Sequence, residues 1–315
     1  MKFLKYAGKR LLALIPVLLG ISMIAFALGL IAPGDAVDQM FSDDSGVVSQ
    51  EVMDQVREDL GLNDPMLVQY GRWLLRVLQG DFGESYLDKT DIRTEILRYL
   101  PVTAKLAAYS LLLTAFWGIV VGLVRARFRG GWIDSLIGTI MICATSLPGF
   151  WLAILLIYWF AETLRILPTS GIGTIQQMIM PTIVLSCGSI GRISRVMRSS
   201  LSGELGKSYV VTARSMGASS NTVVFREALP NALNAVIVLL GTHLGAVLGG
   251  STIVEQIFAI PGLGSYAIGA IGGRDYPVIQ AYVLFTGAVY VIANFLIDLL
   301  CFFINPKTRL GGYMQ

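Results

Sequence analysis

Long apolar runs broken by short charged segments dominate the chain. A helix crossing a bilayer's hydrocarbon core needs about 20 mostly apolar residues. Six stretches come to that length: Leu11 to Ala32, Val102 to Val124, Ile133 to Phe160, Ile179 to Val196, about Ala232 to Phe258, and Val278 to Ile304. The fourth is the weakest, because Gly188, Gly191 and Arg192 interrupt it. The first follows Lys2, Lys5, Lys9 and Arg10, the basic front of a signal peptide. Its apolar part is longer than the roughly 7–15 residues of a cleaved leader core, which predicts a retained helix. Between the first two runs the period changes. Apolar residues recur at helical spacing over Ser49 to Leu60 and again over Met66 to Leu78, with Pro65 between them and Asn63-Asp64 placed to cap the second.

This pattern predicts an all-α polytopic membrane protein with six transmembrane helices and a small helical extracytoplasmic domain between the first two. The expected divisions are residues 1–32, an N-terminal cytoplasmic segment with the first helix; 33–100, the outer domain; 101–305, a five-helix core with a cytoplasmic loop at 200–231; and 306–315, a cytoplasmic tail. Charge sets the orientation. With the N-terminus inside, 15 of the 24 Lys and Arg residues fall on the inner face, and both termini are cytoplasmic. The outer segment Pro33 to Leu100 holds 14 of the 21 acidic residues.

Composition agrees: 54% of residues are hydrophobic, 14% are charged, and the mean hydropathy is +0.67. Soluble domains carry about 25% charged residues. A net charge of +3 is too small to argue for nucleic acid. Cys143, Cys187 and Cys301 all lie in apolar runs, with neither a disulfide framework nor metal-ligand spacing.

Enzymatic chemistry finds little support. Gly206-Lys207-Ser208 resembles the end of a phosphate loop, but Leu201 stands where that loop needs a glycine, and no strand precedes it. His243 and Ser251 share one helix eight residues apart, too far for a nucleophile–base pair. Any ATP must therefore be used by another subunit.

The inner loop is more informative. Tyr209 to Gly217 places Ala213 and Gly217 four apart on a helix, where small residues admit a close neighbour. Gly217 suits a helix end, and Ser219 or Ser220 can cap a following helix that carries Val223, Val224 and Phe225 and ends near Leu229-Pro230. A helix–turn–helix elbow results. It resembles the EAA loop in the membrane subunits of ATP-binding-cassette importers, with Thr212, Ala213, Gly217, Leu229 and Pro230 on the family pattern and Val211 and Glu227 departing from it. The dipeptide/oligopeptide/nickel branch is matched nearly end to end, through Gly61 to Tyr70, Gly80 to Ser85, Tyr209 to Gly217, Gly249-Gly250, Glu255 to Gly264, Arg274 to Pro277 and Asn305-Pro306.

That resemblance implies a type I importer permease without bond chemistry or cofactor of its own. Its expected partners are a second homologous permease, one or two ATPase subunits that use ATP and Mg, a binding protein outside a bacterial inner membrane, and lipid. Tyr209, Thr212, Ala213, Arg214, Gly217, Leu229 and Pro230 would couple to the ATPase. The turn with Pro261, Gly262 and Gly264, together with Arg274 and Asp275, would form the outer gate or the binding-protein seat.

Gly241, Gly245 and Gly249 make a small-residue stripe for helix packing, and His243 points away from it. An intramembrane histidine is a functional candidate. It either contacts the substrate path, as a transient metal ligand, or bonds a neighbouring helix. The His243 segment and the short connection from Leu167 to Pro181 resemble the nickel branch, so nickel or its chelate is the expected cargo, with di- or oligopeptides as the alternative. Asp298 is expected to pair with a basic residue near the inner surface. A stand-alone secondary transporter would need internal repeats and several buried acids, and the chain shows neither.

Overall fold

The computed structural model describes residues 2–31, 50–59 and 63–304. Residues 32–49 and 60–62, the Asn305-Pro306 motif and the tail at 306–315 lie outside them. All regular structure in the described residues is helical: α1 (Lys2–Ile31), α2 (Gln50–Asp59), α3 (Met66–Leu78), α4 (Ile92–Arg127), α5 (Trp132–Ser146), α6 (Gly149–Leu156) running into a π-helical turn (Ile157–Thr163), α7 (Ile175–Glu204), α8 (Ser208–Ser215), the single turn α9 (Ser220–Thr222) and a π segment (Val223–Ala228), α10 (Leu229–Ile257), α11 (Leu263–Gly272) and α12 (Tyr276–Ile304).

Two of the six expected crossings take a different form. The stretch from Ile133 to Phe160 is no single rod: α5 and the α6–π unit meet at 101°. Leu147-Pro148 is the cause, since proline biases its predecessor away from helix and here caps the next one. Among the described residues four helices are long and apolar enough to cross alone, and the bent pair makes a fifth. The weak stretch from Ile179 to Val196 belongs to α7, a 30-residue helix. Its low hydropathy has a packing reason. α7 turns Thr182, Ser186, Ser189 and Ser194 toward other helices, where they are buried, rather than toward lipid. Gly118 on α4 lets it close in: a Cβ there would lie 2.6 Å from Ile193 of α7. Gly191 of α7 meets Thr145 of α5 in the same way.

The second crossing starts ten residues earlier than the apolar run suggests, at Ile92, because Asp91 caps it. The Thr94 hydroxyl and amide donate to the Asp91 carboxylate and hold it below its ordinary pKa. For α3 the expected cap by Asn63-Asp64 is not made. Pro65 is the N-cap, without a side-chain bond, and Asp64 instead pairs with Arg72.

One end of the bundle is pinned by charge and the other by aromatic packing. Where α4 ends and α5 begins, Asp134 is 4% exposed and accepts from Arg125 (3.1 Å) and from Arg198 of α7 (2.8 and 2.9 Å). At the same end Arg10 of α1 pairs with Asp298 of α12 at 2.9 Å, the partner expected for that aspartate. At the opposite end α3 lies against α1 through Phe26, Tyr70 and Trp73, and the hydroxyls of Ser22 and Tyr70 are 2.7 Å apart.

Candidate coupling and gating sites

The elbow forms between α7 and α10. Its first helix, α8, ends in a Schellman arrangement: the Ala218 amide donates to the Ala213 carbonyl (3.1 Å) and the Gly217 amide to the Arg214 carbonyl (3.0 Å). Gly217 takes φ +84° to make that turn, the left-handed region that favours glycine. Ser219 then caps α9, its Oγ accepting from the Thr222 amide. The helix expected to end near Leu229-Pro230 does not end there. It passes through the π segment straight into α10, with Pro230 in the first turn. Wider i→i+5 bonding just before the proline relieves the clash and missing donor that would otherwise break the helix.

The elbow is held from inside by buried Val210, Val223 and Ala228. Tyr209 donates to Glu204 (2.8 Å), which also pairs with Lys207. Burial, reinforced by the Glu204 carboxylate, keeps the Tyr209 phenol above its ordinary pKa and therefore protonated. Asn231 donates to the Glu227 carbonyl, closing the elbow's base beside Pro230. Thr212, Arg214 and Gly217 are exposed, and Ala213 and Leu229 are half-buried. The tip carries two apolar side chains that sequence reasoning did not single out as site residues: Met216, 83% exposed, and Phe225. For Met216 the available signal was its position on a turn between helices.

At the other end of α10, Glu255 is fully buried. Its carboxylate accepts from the Thr103 hydroxyl (2.8 Å) and the Ser265 amide (3.0 Å), while Thr103 Oγ1 accepts from the Leu263 amide (2.9 Å). The carboxylate thereby caps α11 from a neighbouring helix. Gly262 and Gly264 are required by this approach, since a Cβ on either would stand 2.5 Å from its neighbours, the Glu255 carboxylate and Thr252 respectively. Pro261 precedes them in the turn. Arg274 and Asp275, adjacent in sequence, part company. Arg274 is exposed at φ +58°, whereas Asp275 is buried and accepts from the Ser85 hydroxyl (2.5 Å) and the Tyr86 amide (3.2 Å). Asp275 ties the segment before α4 to the α11–α12 corner.

The glycine stripe of α10 faces α12 at Gly241, against Ile297, and at Gly245, against Tyr290; Gly249 is exposed with open space beside it. His243 points elsewhere, toward α4. It is buried, with Nε2 3.1 Å from Ser110 Oγ and 3.2 Å from Thr114 Oγ1. Ser110 Oγ in turn lies 3.1 Å from Ser186 Oγ of α7. Imidazole thus joins three helices through hydroxyls. Among the described residues no cluster of His, Cys, Asp or Glu could hold a metal ion.

Residues 118–310 match the family described as the binding-protein-dependent transport system inner membrane component, and residues 3–107 match its N-terminal companion. The chain belongs to this family. Such a permease is a multi-pass inner-membrane protein without catalysis or cofactor, and it works with ATPase subunits, which use the ATP, and with a binding protein. A putative peptide transport system permease of Brucella abortus is 35% identical over 96% of this chain and 98% of its own length. The glutathione transport system permease of Salmonella typhimurium is 36% identical over 97% and 99%. The fold is also that of the solved MetNI methionine transporter, with a TM-score of 0.53 and 20% identity over 67% of this chain and 96% of that one. Neither permease is described as carrying nickel, so the relatives favour the peptide alternative over the metal expected from His243 and the short connection.

Proposed function

We propose that this permease forms half of a passage for short peptides, glutathione-like tripeptides among them, handed over by an extracytoplasmic binding protein. A second, homologous permease supplies the other half, and the elbow docks on an ATPase subunit in the cytoplasm. Tyr209, Thr212, Ala213, Arg214, Gly217, Leu229 and Pro230 shape that elbow, and Met216 and Phe225 are its apolar tip. The observation that carries the cargo is the end-to-end relationship to a peptide permease and a glutathione permease. The excess of basic residues at the elbow end supports a cytoplasmic elbow and cytoplasmic termini. The α2–α3 region and the α11 corner, with Pro261, Gly262, Gly264, Arg274 and Asp275, then face outward, where the binding protein docks. His243 serves as an internal tie between helices rather than as a metal ligand.

The test is uptake by the complete transporter in proteoliposomes, with radiolabelled di- and tripeptides and with nickel. ATP-dependent accumulation of peptide is expected. Accumulation of nickel without peptide would overturn the reading.

A further inference from the structure

The helix α3 has a broad apolar side, and only part of it has a neighbour. Tyr70 and Trp73 turn toward α1 and pack against Phe26. At 3.6 residues per turn, Leu67, Val68, Leu75 and Leu78 follow within an arc of about 100°. All four are exposed, Leu67 by 79% and Leu78 by 74%. Gln69, Arg72 and Arg76 stand opposite the middle of the whole apolar side, within about 60° of one another. The leucine arc is thus an apolar face left open among the described residues, with a basic edge across from the apolar side.

Depth decides what meets that arc. The helix touches α1 at Ser22 and Phe26, short of the end of α1 at Ile31. The Ser22 hydroxyl donates to the Leu19 carbonyl, so the Tyr70 hydroxyl donates to Ser22. Arg10, paired with Asp298, stands where the apolar run of α1 begins at the other membrane face. Ser22 and Phe26 lie twelve and sixteen positions beyond it, about 18 and 24 Å along a helix. A hydrocarbon core is about 30 Å thick. Tyr70 and Trp73 therefore reach α1 inside the far edge of that core, and a tilt of α1 sets them lower still. The side chains that α1 exposes at this level, Met23, Ile24 and Leu28, are all apolar, as a surface against lipid is. A soluble protein docking from outside does not reach below the headgroups. An amphipathic helix lying in the interface does, with its apolar face among acyl chains and its basic residues among phosphates. Tyrosine and tryptophan suit the same level.

We infer that α3 is such an interfacial helix, with Leu67, Val68, Leu75 and Leu78 sunk into the leaflet at this end and Arg72 and Arg76 level with the lipid phosphates. In the orientation proposed above this is the outer leaflet. Lipid occupies the leucine arc, and the polar edge is what α3 presents to the outside.

The experiment uses the assembled transporter in liposomes, with Cys143, Cys187 and Cys301 replaced by serine or alanine and a nitroxide attached in turn to L67C, L78C, M23C and R76C. Electron paramagnetic resonance reads collision with oxygen, which concentrates in lipid, and with chromium oxalate, an anion that stays in water. Both are read with and without the binding protein. The oxygen-to-oxalate ratio at L67C and L78C is expected to approach that at M23C and to exceed that at R76C about threefold or more, because an interfacial helix buries its apolar face roughly 5–10 Å. A ratio equal to that at R76C would put the arc in water and overturn the inference. Low collision with both reagents, in either state, would put the arc against protein and overturn it equally. These rates do not depend on what is transported, so this inference and the peptide reading fail separately.

Discussion

Gly217 has open space where a side chain would project, so a substitution there meets no neighbour. The penalty is in the backbone, since a left-handed φ costs an L-residue about 1–2 kcal/mol. G217L is therefore expected to re-aim the elbow without unfolding the bundle. The variant should insert normally but lose co-purification with the ATPase subunit; undiminished co-purification would contradict a docking role. Glu255 works in the opposite way, through what it touches. E255A would strand the Thr103 hydroxyl and the Ser265 amide, and a buried donor left unpaired costs about 1–3 kcal/mol. A lower unfolding midpoint in detergent is expected for E255A, with a smaller drop for E255Q, which still accepts. The motif containing Glu255 was legible as a family signature, but its part was not, because Thr103 is 152 residues away in sequence. His243 could be read as facing away from its glycines. Which hydroxyls it would meet depended on how α4 and α7 approach α10.

Among the helices, α4 and α7 set the packing. The pair Gly118 and Gly122 on α4 repeats at four, the same small-residue signature recognised on α10, and was legible in the sequence though unused. The break in the α5–α6 span was spelled by Pro148, yet a proline within a 28-residue apolar run reads equally as a mild kink, and its size, 101°, was not legible. Asp134 left no signal at all, since one acid near the start of an apolar run says nothing of two arginines arriving from other helices. Its removal should be felt widely. Breaking a buried ion pair by deleting one partner costs about 3–5 kcal/mol, so D134A is expected to lower the unfolding midpoint sharply. If R198A added to D134A restores part of the loss, the uncompensated charge is the cause; no recovery would point to lost packing instead.

For the molecule as a whole, apolar length was enough to find most of the spanning helices, because bilayer thickness acts on local sequence, whereas the elbow was legible from its small-residue spacing, its caps and its family resemblance. Cargo was not legible in the same way. Histidine and a loop length suggested nickel, while the relatives point to peptides and Nε2 of that imidazole lies beside the hydroxyls of Ser110 and Thr114. The Arg10–Asp298 contact also has a bearing on biogenesis. It joins α1 with α12, across 288 positions. Until α12 emerges, α1 waits in lipid without the aspartate that anchors its basic end, and without the Gln280 amide that donates to the Phe26 carbonyl. Nascent chains halted before residue 276 are accordingly expected to keep α1 mobile and open to membrane proteases, and pulse-chase turnover of truncations ending before and after α12 would reveal it.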